Sequence, residues 1–106
     1  MMTKTMTTRR TPEYRITQDG DGTVTLTLSG RLLAYLDSGE QAETQTRRYV
    51  LRGRYVYEVN PCGDDRQVCD GLGRIGYTLT ATPGSLPDVI RREVRYAQSK
   101  ARRFWT

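Results

Sequence analysis

From Glu13 onward hydrophobic and polar positions alternate. Tyr14 and Ile16 point one way and Glu13, Arg15 and Thr17 the other. After Asp19-Gly20-Asp21-Gly22 the alternation resumes, with Val24, Leu26 and Leu28 set against Thr23, Thr25, Thr27 and Ser29. A period of two on both sides of a D-G turn predicts a β-hairpin. Gly30 interrupts the pattern, and residues 31–36 are expected to continue it as a bent strand beyond a bulge. Asp37-Ser38-Gly39-Glu40 marks a loop.

Residues 45–59 form the longest strand-like stretch. Tyr49, Leu51, Tyr55, Tyr57 and Val59 are expected on one face, so that most of these tyrosines should be core; Arg48, Val50, Arg52, Arg54, Val56 and Glu58 take the other. Gly53 either bulges one long strand or turns between two short ones, and a bulge is expected because Arg-Gly is a weak hairpin turn. Short strands are predicted at 67–70 and 74–82, the second with Ile75, Tyr77, Leu79 and Ala81 facing inward.

The last segment changes period. At 100° per residue, Leu86, Ile90, Val94, Ala97, Ala101, Phe104 and Trp105 fall in one stripe, which predicts an amphipathic helix. Ser85 is placed to cap it, Pro87 lies in the first turn, and Asp88 sits near the positive end of the helix dipole. Arg91, Arg92, Arg95, Arg102 and Arg103 occupy the opposite face. The expected fold is therefore α+β: an antiparallel sheet of about four to five strands with one C-terminal amphipathic helix packed across it. Residues 1–12 are Thr-rich and basic without periodicity and are expected to form a flexible arm ahead of a single domain, 13–106.

Composition narrows the chemistry. The chain has 106 residues and no histidine. That excludes Ser-His-Asp and Cys-His nucleophile systems, His-ligated zinc and His general bases. Cys62 and Cys69 alone cannot complete a four-ligand zinc site; they are expected to be reduced packing cysteines of a cytoplasmic protein. There is neither a signal-peptide pattern nor an apolar run long enough to span a membrane, so no membrane partner is expected.

Several motifs have plainer explanations. Asp19-Gly20-Asp21-Gly22 resembles the start of a calcium loop, but position twelve of such a loop is Gly30 rather than glutamate. Gly71-Leu72-Gly73-Arg74-Ile75-Gly76 matches G-x-G-x-x-G, yet a strand pattern follows where a dinucleotide site needs a helix. A kinase loop would require a lysine on the next strand and an H-R-D motif, and lysine occurs only at positions 4 and 100. Asp64, Asp65 and Asp70 form a carboxylate group of the kind that holds magnesium in nucleases, but they flank turn glycines, where aspartates are commonly solvated. Asp88, Glu93 and Arg95 imitate a metal-nuclease pattern within one helix, which is the wrong geometry. A small metal-dependent enzyme is the least favoured class, and no cofactor is expected.

Charge is segregated along the chain. The formal net charge is +5, and fifteen of the 17 Lys+Arg residues are arginine. Arg47, Arg48, Arg52 and Arg54 form one acid-free run; Asp37, Glu40 and Glu43 form an acidic patch before it. Arginine is the better fork for phosphate and carboxylate. The expected binding residues are Arg91, Arg92, Arg95 and Arg102 on the helix, with Arg48, Arg52 and Arg54 as a second patch.

In size, arginine content, Thr-rich start and lack of a catalytic constellation, the chain resembles the small accessory proteins of bacteriophages and mobile elements. The stretch QVCDGLGRIGYTLTATPGSLPDVIRREVR carries that likeness most strongly. Anti-CRISPR proteins are one such group: short single domains that inhibit by binding a nuclease effector. The resemblance transfers no residue roles. It implies a non-enzymatic partner of a protein or ribonucleoprotein complex, an inhibitor or accessory factor, although the basic charge argues against mimicry of DNA. The alternative is direct binding to DNA or RNA through the arginine face of the helix.

Overall fold

A computed structural model of the chain describes residues 13–60, 65–68, 72 and 78–105, with the side chains of Phe104 and Trp105 outside that set. The elements are β1 (Tyr14–Gln18), β2 (Val24–Ser29), α1 (Gly30–Leu36), β3 (Thr44–Arg52), β4 (Tyr55–Glu58), β5 (Arg66–Gln67) and α2 (Leu86–Trp105). The five strands pair in sequence order, every pair antiparallel, so the sheet is a simple meander. The expected N-terminal arm and both cysteines lie outside the described residues, as do most of the glycine-rich 71–76 motif and residues 74–77 of the expected strand at 74–82.

β1 and β2 form the expected hairpin, with Tyr14 opposite Leu28 and Gln18 opposite Val24. Hydrogen bonds close its turn. The Asp19 N–H donates to the Thr23 carbonyl at 2.9 Å, and the Thr23 N–H donates to Asp21 Oδ1 at 3.0 Å. The Thr23 N–H also holds the Asp21 carboxyl below its ordinary pKa.

Residues 31–36 depart from the expected strand. They form α1, because Gly30 adopts a positive φ of 63° and turns the backbone out of β2. A strand would send the adjacent Leu32 and Leu33 to opposite faces, whereas one helical turn buries both. Gly53 also departs from expectation: it starts a two-residue turn, with Arg52 paired to Tyr55 across it. Only the first turn residue has positive φ (66°), the pattern of a type II′ hairpin.

One face of the sheet carries the core. Val24, Leu26, Leu28, Tyr49 and Val56 are fully buried there and pack with Leu32 and Leu33 of α1 and with Leu86, Ile90, Val94 and Ala97 of α2. α1 and α2 therefore lie on the same side. Val68 and Leu79 complete the core beside β4: the Val56 N–H donates to the Leu79 carbonyl, and the Val68 N–H donates to the Val56 carbonyl. The segment 78–81 runs along the β4 edge, linked by a Tyr55–Thr80 bridge, with Thr78 and Thr80 exposed and Leu79 buried as expected.

α2 is a 20-residue helix whose inward stripe includes the expected Leu86, Ile90, Val94, Ala97 and Ala101, and adds Val89 and Glu93. Ser85 takes the capping position by backbone, its carbonyl accepting the Val89 N–H at 2.9 Å. Its hydroxyl, however, turns back to accept the Thr82 N–H. With Pro87 lacking an N–H, the first turn has one donor fewer to satisfy. Gln98 on α2 donates to Glu13 Oε1 at 3.0 Å, which ties the start of the sheet to the helix 85 residues later.

Candidate binding surfaces

The outward face of α2 presents the helix arginines to solvent. Arg95 and Arg102 are exposed and make no ion pair among the described residues. Arg92 has 70% of its side chain exposed, with Nε 3.8 Å from Glu93 Oε2, while Arg91 binds Asp88 at 2.9 Å one turn back. That local surface pair is worth a few tenths of a kcal/mol at most, about 0.3–0.5, and leaves the guanidinium accessible. Tyr96 lies among these cations, 49% exposed, with Lys100 Nζ 5.3 Å from its ring centre. Arg92, Tyr96 and Lys100 are spaced four apart and so form one line along the helix. The charge pattern did not single out Tyr96; its position outside the apolar stripe was the available signal.

The 47–54 arginines do not stay together. Arg47 opposes Leu26, on the core side of the sheet, and its Nε donates to Gln45 Oε1 at 2.8 Å. Gln45 in turn donates to Asp37 Oδ2 at 2.8 Å and Glu40 Oε2 at 3.2 Å. Asp37 and Glu40 of the acidic patch thus belong to a polar cluster at the sheet margin, where the Ala42 N–H and Gln45 hold the Glu40 carboxyl below its ordinary pKa.

Arg48 and Arg52 emerge on the opposite face, and with them come two tyrosines that the sequence pattern assigned to the core. The two-residue turn is the reason. It places residues three apart, Arg52 and Tyr55, directly opposite and therefore on one side of the sheet. Tyr57, opposite Val50, follows. Their expected neighbours Tyr49 and Leu51 remain on the core face with Val56 and Glu58. The outer face is consequently built from Arg15 and Thr17 of β1, Thr25 and Thr27 of β2, Thr46, Arg48, Val50 and Arg52 of β3, and Tyr55 and Tyr57 of β4. No carboxylate side chain lies on these strand positions, and no described element covers them.

Local contacts position the rings. The Arg52 guanidinium lies 5.6 Å from the Tyr57 ring centre and the Arg54 guanidinium 5.4 Å from that of Tyr55, both within cation–π range. Arg54 sits in the turn and also reaches the Tyr55 hydroxyl at 3.4 Å. Arg52 bonds Asp65 at the rim, whose carboxyl is held below its ordinary pKa first by the Asn60 N–H and then by Arg52. Arg15 and Arg48 are exposed and make no ion pair among the described residues.

The helices cover one side of the sheet and the outer face is the other, so the two expected arginine patches are on opposite sides of the molecule. They cannot act as one continuous surface. Asp64 and Asp70 lie outside the described residues, leaving Asp65 the only member of that trio described. Asp88, Glu93 and Arg95 diverge, Glu93 inward and the other two outward. No helix among the described residues is long and apolar enough to cross a membrane. In comparisons with known proteins, no family model, curated protein or solved structure matches the chain, so its function must be argued from the two faces themselves.

Proposed function

We propose that the protein is a non-enzymatic binding module that docks through the outward face of α2 on an acidic surface of a nucleic-acid-processing complex. There it acts as an inhibitor or accessory factor, in the manner of anti-CRISPR proteins. Tyr96 is the observation that carries this reading. A tyrosine half exposed among arginines has the composition of an interface hot spot, where an aromatic ring supplies apolar area and the guanidiniums supply directional bonds. A duplex, its bases already stacked, would need only the charges; a lone ring amid them on a helix suits a protein surface with both carboxylates and an apolar pocket.

The test is affinity capture with the tagged protein after exhaustive nuclease treatment. A partner should remain bound, and Tyr96→Ala or the pair Arg92→Glu/Arg95→Glu should reduce its capture about tenfold or more, as loss of a hot-spot residue does. Capture that disappears with nuclease, or that ignores all three substitutions, removes this reading.

A further inference from the structure

We propose that the outer face of the sheet is a binding site for single-stranded nucleic acid, separate from the helix surface and independent of what docks there. Two properties of this face coincide. Tyr55 is 36% exposed and Tyr57 half-buried, side by side on β4 with neither ring in the core. Around them Arg48 on β3, and Arg15 across the sheet on β1, supply positive charge that is unpaired among the described residues, while Arg52 beside the Tyr57 ring is paired to Asp65 at the margin.

The occupant follows from that chemistry. A polyanion matches the charge, and planar groups match the rings, because every base has a π-face that stacks on an aromatic side chain whatever its identity. In a duplex those faces are already stacked on each other, so a single strand is the form that can use them. From β1 to β4 the sheet is about 14 Å across, at roughly 4.8 Å per strand. The two rings of β4 can take two bases, and the remaining width lets the strand run on across the sheet toward Arg15. Arg48 stands diagonally from Tyr57, placed to meet the phosphate next to a base stacked there. The hydroxyls of Thr17, Thr25, Thr27 and Thr46 offer donors to the strand as it leaves toward Arg15. A protein partner fits less well, since the face has just one aliphatic side chain, Val50, between the rings and the threonines.

Fluorescence anisotropy of short labelled oligo(dT) and oligo(U), with a blunt duplex of similar length, tests this on the whole chain. Both single strands, or one of them if the sugar is read, should bind at low salt and more tightly than the duplex. Affinity should fall with added salt. Tyr55→Ala/Tyr57→Ala should weaken binding about tenfold or more, and Tyr55→Phe/Tyr57→Phe should retain it, because stacking needs the ring and not the hydroxyl. Arg48→Glu should weaken binding and flatten the salt dependence. The charge-neutral helix variant Tyr96→Ala should leave oligonucleotide binding within about twofold of the parent, which separates this site from the docking surface. Circular dichroism of each variant checks that it is folded. The proposal is overturned by equal affinity for duplex, by no binding of either single strand, by folded alanine variants that bind as the parent does, or by loss of binding only in the helix variant.

Discussion

Tyr49 occupies the third strand with its ring fully buried and its hydroxyl without a hydrogen-bond partner among the described residues. Removal from water disfavours the phenolate, and the pKa is pushed up to about 12. The sign for stability follows from proton binding. Between pH 10, where an unfolded tyrosine ionises, and about 12, the folded chain keeps a proton that the unfolded chain has lost. Stability from this residue is therefore intact below pH 10 and declines as pH rises through that window. Tyr49→Phe should shed the unsatisfied hydroxyl at little cost, changing stability at neutral pH by no more than about 1 kcal/mol in either direction. It should also flatten the alkaline fall. Denaturant melts of both proteins from neutral pH to pH 12 measure the difference; parallel curves would show that Tyr49 ionises as freely folded as unfolded.

At the scale of elements, α1 is the piece whose identity a single substitution can check. Ala34 is exposed in its interior. In a helix, Ala34→Val should destabilise by about 0.5 kcal/mol through lost rotamer freedom; in a strand the same change would stabilise. A urea midpoint that rises in the variant would argue against the helix. The first hairpin and α2 were legible because each sustains one period: two over Tyr14–Ser29 and 3.6 over the last twenty residues. The six residues of 31–36 are too few to establish a period, yet Leu32-Leu33 adjacency and the lack of any β-branched residue favoured a helix. The Gly53 turn was harder to recognise. Tyr55, Val56 and Tyr57 are all credible inward residues, so only the turn's length decided which of them faces the core. That one choice moved two tyrosines from the interior to the surface and made the outer face visible as a site. The helix arginines, by contrast, stand where the periodicity put them.

The described residues form two layers: a meander of neighbouring strands, then α1 and α2 closing one side of it. Each strand pairs with the strand before it, so the sheet can be assembled from local contacts, while α2 returns from the far end to bury Val24, Leu26 and Leu28. The order of synthesis gives that arrangement a consequence. A chain emerging from the ribosome has its strands available before the residues that shield their greasy side, and until α2 is translated that side is open to neighbouring chains and to chaperones. A version ending at Ser85 should collect in the insoluble fraction, and adding the missing helix as a separate peptide during refolding should return it to solution. Nascent copies of this protein would then depend on how quickly the codons of α2 are read.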